Sequence, residues 1–395
     1  MLTVETVNNK NSNAAVGGTP TTPASLMRIL GFSNLRSTSP NVRLVEGKNA
    51  GQVTTLLRGK REFILFPPEK NMTFLEAIKT CETFQCLREA HMLPRGNATF
   101  NYPHFMIAGY SKSATTSLHG YLSRHPNVLT PLKKEPALLT NRCKYFGKKM
   151  WCPPARAQEY IVKLLRRDRF VMNKGQLMAY EATPRIFDLG PDLADILYDT
   201  MPWIKLVVSM REPISRSISK YVMFKEKFNK GCFVNNTLSE CLLKDKERFY
   251  GNPKRKYYSL PLGYWMDYFP ADQIKLIQYE DLIGERQAQE LHGLKEFLGI
   301  DPKISGDSLE WGLPPTDEAT YNCRHCRIHP EGWPIEETVY RKLIGRVEQD
   351  VDELTRLITK FKLGNATRWK ENWRRVWDSN LESCDDSGMC HIQLS

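Results

Sequence analysis

His104-Phe-Met-Ile-Ala-Gly-Tyr-Ser-Lys-Ser-Ala-Thr-Thr-Ser-Leu118 decides how the rest of the chain is read. Its first half is an unbroken apolar run of strand length, which predicts a buried strand. Gly109 to Ala114 then reads as a tight turn carrying Lys112 and several hydroxyls, and Thr115-Thr116 open a helix that continues from Ser117 to Arg124 and ends at His125-Pro126. A turn between a strand and a helix N-terminus is an anion site, because free backbone N–H groups and the positive end of the helix dipole point at one place. The nucleoside-triphosphate version of this turn needs G-x-x-x-x-G-K-[ST]. Gly109 is present, but the second glycine and the Gly-Lys pair are not, so a kinase of that class has no support.

About a hundred residues on, Trp203-Ile-Lys-Leu-Val-Val-Ser-Met210 is a second aliphatic strand, followed at once by Arg211-Glu-Pro-Ile-Ser-Arg-Ser-Ile-Ser-Lys-Tyr221. Pro213 suits the first turn of a helix, where its missing N–H costs nothing. Arg211 then stands at the end of the strand and Ser219 two helical turns along. Leu177 to Pro184 and Gln273 to Tyr279 supply further strands, and helical patterns run over 155–167, 190–200, 213–228, 262–269 and 287–297, with a long one over 335–362. Strands alternating with helices imply a parallel sheet with right-handed crossovers. Ligands of such sheets bind at the strand C-terminal ends, the edge to which Lys112, Glu181, Arg211 and Glu280 are assigned.

The net charge of +12 favours anionic partners, among which nucleic acid, acidic membrane and polyanionic sugar are the classes to separate. The basic residues are dispersed as Lys133-Lys134, Lys148-Lys149, Arg166-Arg167 and Lys254-Arg255-Lys256, and none of these blocks is long enough for a nucleic-acid tail. Ten cysteines fall in close pairs: Cys81 with Cys86, Cys143 with Cys152, Cys232 with Cys241, Cys323 with Cys326 and Cys384 with Cys390. Local pairs fit disulfides of an oxidising compartment, although connectivity cannot be read from sequence. A zinc site has its best spacing at Cys323-Arg-His-Cys326, with His325 and His329 close by, and lacks the second ligand pair elsewhere. Sequons at Asn71, Asn97, Asn235 and Asn365 point to the same secretory route. No run of about 18 apolar residues is present and the first residues have no basic stretch leading into an apolar core. The expectation is an N-terminus that is incomplete or that uses another targeting signal.

The two anion motifs, in this order and on two strand-to-helix junctions, resemble those of the sulfotransferase superfamily, and its Golgi carbohydrate branch of heparan and chondroitin type in particular. The loop at 110–116 resembles the phosphosulfate loop, K-x-G-T-T or K-[ST]-x-T-T. Arg211, Arg216, Ser219 and Tyr221 match the 3′-phosphate motif R-[DE]-P-x-x-R-x-x-S-x-Y. Leu132-Lys-Lys-Glu-Pro-Ala-Leu-Leu139 resembles the K-E-x-x-[FL]-[FL] segment of carbohydrate sulfotransferases, Glu181-Ala-Thr-Pro184 the E-[KA]-[ST]-P segment, and Glu280-Asp-Leu282 the E-D-L strand end. Arg327 and His329 match the K-G-R-x-H-P loop that closes over the donor, with His325-Cys326 in place of its Lys-Gly. The R-K-G-x-x-G-D-W-K segment of the cytosolic branch has no counterpart. The resemblance covers roughly residues 101 to 378.

The resemblance implies an α/β fold, a P-loop-like parallel sheet flanked by helices. Its divisions are a disordered tail or stem over 1–60, a lead-in over 61–100, a catalytic domain over 101–378 and a C-terminal tail over 379–395. The implied donor is 3′-phosphoadenosine 5′-phosphosulfate, held by Lys112, Ser113, Ala114, Thr115 and Thr116 at its phosphosulfate end, by Arg211 and Ser219 at its 3′-phosphate, and by Arg327 and His329. Lys112 would neutralise charge on the leaving phosphate and Glu135 would be the base, with His119 and His125 as rival bases. Lys133, Lys134 and Glu181 are assigned to the acceptor, expected to be a polyanionic glycan in the Golgi lumen, and neither metal nor nucleic acid is implied. A small-molecule alcohol such as a sterol as acceptor, and a non-catalytic glycan-binding relative, are the rival readings.

Overall fold

The computed structural model describes residues 42–46, 54–58, 61–65, 72–146, 149–229, 232–244, 257–304 and 331–395. Five parallel strands make the central sheet: β1 (Phe105–Gly109), β2 (Val128–Leu129), β3 (Met178–Glu181), β4 (Lys205–Met210) and β5 (Ile274–Gln278). Their order is β5-β4-β1-β3-β2, which puts the opening stretch of the sequence at the centre. Every residue of β1 and β3 is buried, as both-face burial of a parallel sheet requires. Registers pair Met106 with Glu181 on one side of β1 and Gly109 with Val208 on the other. The C-terminal ends of β3, β1 and β4 therefore open onto one crevice, where the connections turn from one half of the sheet to the other.

Helix α1 (Thr115–Ser123) leaves β1, α2 (Gly190–Thr200) follows β3 and α3 (Pro213–Phe228) leaves β4. The last two lie where their periodicity predicts. The pattern over 155–167 is instead broken into Pro154–Gln158, a wider π-helical turn over Glu159–Leu164, and Arg167–Met172. The break falls at Arg166, whose φ of +58° ends the preceding run. Helix α4 (Ser259–Tyr268) packs against α2, α5 (Gln287–Leu298) lies against β5, and α6 (Glu337–Phe361) buries Tyr340, Leu343, Val347, Val351, Leu354 and Ile358 along one stripe. Helix α7 (Ala366–Glu382), which periodicity does not single out, packs on α6 and buries Trp369, Trp373 and Trp377 at four-residue spacing.

Residues set apart as a tail over 379–395 are built into this body. Strand β6 (Trp333–Glu336) pairs antiparallel with β7 (Met389–Ile392), and Asn380 and Gln393 are tied by Gln393 N–H to Asn380 Oδ1 at 2.8 Å. Val42–Glu46 and Thr54–Arg58, within the segment read as a stem, and Arg61–Leu65, at the start of the lead-in, form an antiparallel meander. Disulfides join Cys81 to Cys86, Cys143 to Cys152, Cys232 to Cys241 and Cys384 to Cys390, while Cys323 and Cys326 lie outside the described residues. Short loops bring each pair together, so the pairing follows from sequence proximity. No helix among the described residues is long and apolar enough to cross a membrane.

Candidate active site

The anion loop is shaped by backbone sign changes. Lys112 has φ +68° and Ala114 φ +61°, with Ser113 between them fully buried. Such alternation turns successive N–H groups to one side. Ala114 precedes the first turn of α1 and carries no oxygen to cap it, which leaves that turn open to an exogenous anion. Left-handed backbone at a non-glycine residue costs about 1–3 kcal/mol, and it concentrates at functional sites. Ala114→Val should lower the free energy of unfolding by about 1–3 kcal/mol, since a β-branched side chain suits this φ least, and Ala114→Gly should raise it by up to about 1 kcal/mol. Urea unfolding of the two variants checks this.

The second motif holds the loop in place. Tyr110 N–H donates to Ser209 O at 2.7 Å, the Ser209 hydroxyl donates to Ser113 O, and Arg211 Nη1 reaches Lys112 O at 3.5 Å. Arg216, 5% exposed, donates from Nε to Ser111 O at 3.0 Å, and its guanidinium lies 4.7, 5.2 and 5.6 Å from the rings of Tyr110, Tyr257 and Tyr258. Arginine keeps its charge there because aromatic faces and Asp188, at 3.5 Å, surround it.

Arg211 is buried, stacked 4.5 Å from the Tyr279 ring, and oxygen atoms already occupy its donor edge. Its Nη2 donates to Ser395 O and its Nε to Ser395 Oγ at 3.3 Å. Ser395 N–H in turn donates to Ser215 Oγ at 3.3 Å, and its hydroxyl to Glu280 Oε1 at 2.8 Å. These donors and acceptors come from the residue after β4, from α3, and from the chain after β5 and after β7. Ser219 is buried one turn further along α3 than Ser215. Ser215 lies one helical turn before Ser219 on α3, and that spacing is the sequence signal for it. Tyr221 is structural, donating its hydroxyl to Cys241 O at 3.2 Å.

Two carboxylates, buried Glu212 and half-buried Glu280, underlie the arginine. Glu212 caps α3, accepting from Ile214 N–H at 2.7 Å, Ser215 N–H at 2.6 Å and Trp377 Nε1–H at 2.7 Å. Glu280 accepts from Glu212 N–H at 2.8 Å and from Trp373 Nε1–H at 2.9 Å. Burial pushes both carboxyls up, against the pull of those donors. The tryptophans of α7 thus support the carboxylates beneath Arg211 from 93 and 165 residues away in sequence.

On the other side of β1, Glu135 stands at φ +57° with its side chain 48% exposed, and it pairs with Lys134, whose side chain is 5% exposed. Lys133 is exposed. Glu181, assigned by resemblance to the acceptor, is 2% exposed and lies at the end of β3 beside this segment. Burial raises its pKa to about 8, with Glu135's charge adding to the rise and Thr183 and Lys134 opposing it. His119 is buried, hydrogen-bonded to Tyr180 at 2.7 Å and pushed down to about 4 by burial and by Lys134. His125 lies past the far end of α1 from the loop, accepting from Asn127 N–H at 3.2 Å. Asn97, Asn235 and Asn365 are exposed, whereas Asn71, Arg327, His329 and the Lys254–Lys256 cluster lie outside the described residues.

A folded-state carboxyl raised to about 8 keeps its proton while the unfolded one, near 4.5, loses it. The native state then binds more protons across that window, so stability declines as pH rises from 5 to 8. Glu181→Gln should flatten that decline, as read from urea midpoints over the same range.

The model of the sulfotransferase domain family matches residues 102–328. The chain belongs to the sulfotransferase family. Heparan sulfate glucosamine 3-O-sulfotransferase 5 of Mus musculus is 26% identical over 272 residues, covering 64% of this chain and 72% of the mouse protein. Membrane-associated sulfotransferase kil1 of Dictyostelium discoideum is 23% identical over 280 residues, covering 50% of this chain and 56% of the relative. The chain is also similar to a crystal structure of a sulfotransferase from Alicyclobacillus acidocaldarius, with 22% identity, a TM-score of 0.46, and coverage of 65% of this chain and 96% of that one. Both sulfotransferase motifs fall inside the matched region, as do Glu135, Glu181 and Arg327, while His329 lies one residue beyond its end.

Proposed function

We propose that this sulfotransferase transfers a sulfuryl group from 3′-phosphoadenosine 5′-phosphosulfate to a hydroxyl of an acidic glycan. The observation that carries the reading is that the uncapped N-terminus of α1 and the Arg211 cluster meet, joined through Lys112 O, and the reading takes each as an anion site. A donor with a phosphosulfate at one end and a phosphate at the other needs two such sites. In this reading the 3′-phosphate displaces the Ser395 oxygens from Arg211, with Ser215 and Ser219 beside it, and Arg327 and His329 close over the donor. Thr115 and Thr116 contribute hydroxyl and N–H donors at the phosphosulfate end, beside Ser113 and Ala114.

The acceptor hydroxyl attacks sulfur in line as the bond from sulfur to the bridging oxygen breaks. Glu135 takes the hydroxyl proton, and Lys112 neutralises the charge that collects on the departing phosphate. The leaving group is 3′-phosphoadenosine 5′-phosphate. Lys133 and Lys134 hold the sulfated or carboxylated acceptor near the base, and the basic balance of the chain favours such an acceptor. The relatives named for heparan sulfate chemistry, the four disulfides among the described residues and the exposed sequons support an acceptor met in the secretory pathway. The test is transfer of labelled sulfate from the donor to a panel of native and desulfated glycans. Transfer to one glycan supports the reading, donor binding with transfer only to small alcohols replaces the acceptor class, and absence of donor binding overturns it.

A further inference from the structure

Glu181 is buried, yet it is tied to the segment that carries the proposed base. Ala137 N–H donates to Thr183 Oγ1 at 3.1 Å, and the Thr183 hydroxyl donates to Glu181 Oε1. That chain of bonds fastens the loop over 132–137 to the end of β3. The loop needs such fastening, because Glu135 and Ala137 both hold left-handed backbone, with φ of +57° and +54°. The ion pair with Lys134 holds Glu135 only to its own loop, so the bond from Ala137 to Thr183 is the one that ties this strained segment to the end of β3. The second carboxyl oxygen of Glu181, Oε2, is buried without a partner. A bare carboxylate in that position would be strongly penalised, whereas a neutral acid is tolerated and still offers Oε1 as acceptor.

We propose that Glu181 is a positioning residue, acting as a neutral acid that sets Glu135 against the acceptor hydroxyl through Thr183 and Ala137. The inference rests on the reading of Glu135 as the base. The charged and titratable groups facing Glu181 are Glu135 and Lys134 from the loop and Tyr160 from the turn over Glu159–Leu164. A proton on Glu181 spares Glu135 a second negative charge beside it, and Lys134, paired with Glu135, remains the one cation among these groups. Glutamine reproduces the neutral acid in shape and charge, which gives the inference its sharpest test.

The experiment measures kcat and donor KM with the accepted glycan of the panel for Glu181→Ala, Thr183→Val, the double variant, Glu181→Gln and Glu135→Gln. Glu181→Ala and Thr183→Val should each lower kcat by about tenfold or more with donor KM within about twofold, and the double variant should be no slower than the slower single one. Glu181→Gln should recover most of the kcat lost in the alanine variant. Full kcat in Glu181→Ala, multiplicative losses in the double variant, or a glutamine variant as slow as alanine would each overturn the inference. Full activity of Glu135→Gln overturns the reading of the base itself, so the two failures are told apart.

Discussion

Lys112→Ala is expected to cut the rate of sulfuryl transfer by about 10²- to 10³-fold, the scale of a lost oxyanion donor at about 3–4 kcal/mol. The donor should still bind, because Arg211, the N-terminus of α1 and the hydroxyls beside it do not depend on the ammonium. The loss therefore belongs in kcat, with the affinity for 3′-phosphoadenosine 5′-phosphate changed by much less. Lys112→Arg tests the same role by another route. A guanidinium keeps the charge but spreads it over a planar fork, so a compact charge on one bridging oxygen is not reproduced. Single-turnover rates paired with product-analogue titration separate the two effects. Equal losses in rate and affinity would make Lys112 a binding residue only.

Glu135→Ala is expected to lower kcat by about 10²- to 10⁴-fold, the usual worth of a general base, with donor affinity unchanged. The half-exposed side chain of Glu135 can reach an acceptor, whereas buried His119 is engaged with Tyr180, and His125 stands at the wrong end of α1. His119→Gln should therefore cost far less than Glu135→Ala. The ranking reverses if the histidine is the base, and rate measurements on the two variants decide it.

The opening stretch was legible because a buried strand, a turn and a helix start each leave a local mark: an apolar run, a change of period, and hydroxyls where a helix begins. The same holds for α2 and α3 and for cysteine pairs only five to nine residues apart, whose loops close without help from the rest of the fold. Helix α7 was not legible in this way, and Arg166 broke a run whose composition is helical. Trp373 and Trp377 of α7 find their partners in Glu280, after β5, and Glu212, after β4, which no window of sequence contains.

By itself the sequence determined the anion loop, the arginine at the end of β4, the alternating α/β order and the family, since these depend on residue type and spacing along the chain. Only the tertiary structure decided the burial of Glu181, its link through Thr183 to the loop of Glu135, and the oxygens of Ser395 set on Arg211. A side chain's charge and reach depend on what surrounds it. Those surroundings are assembled from strands and helices far apart in the chain, so they exist only once the sheet is built.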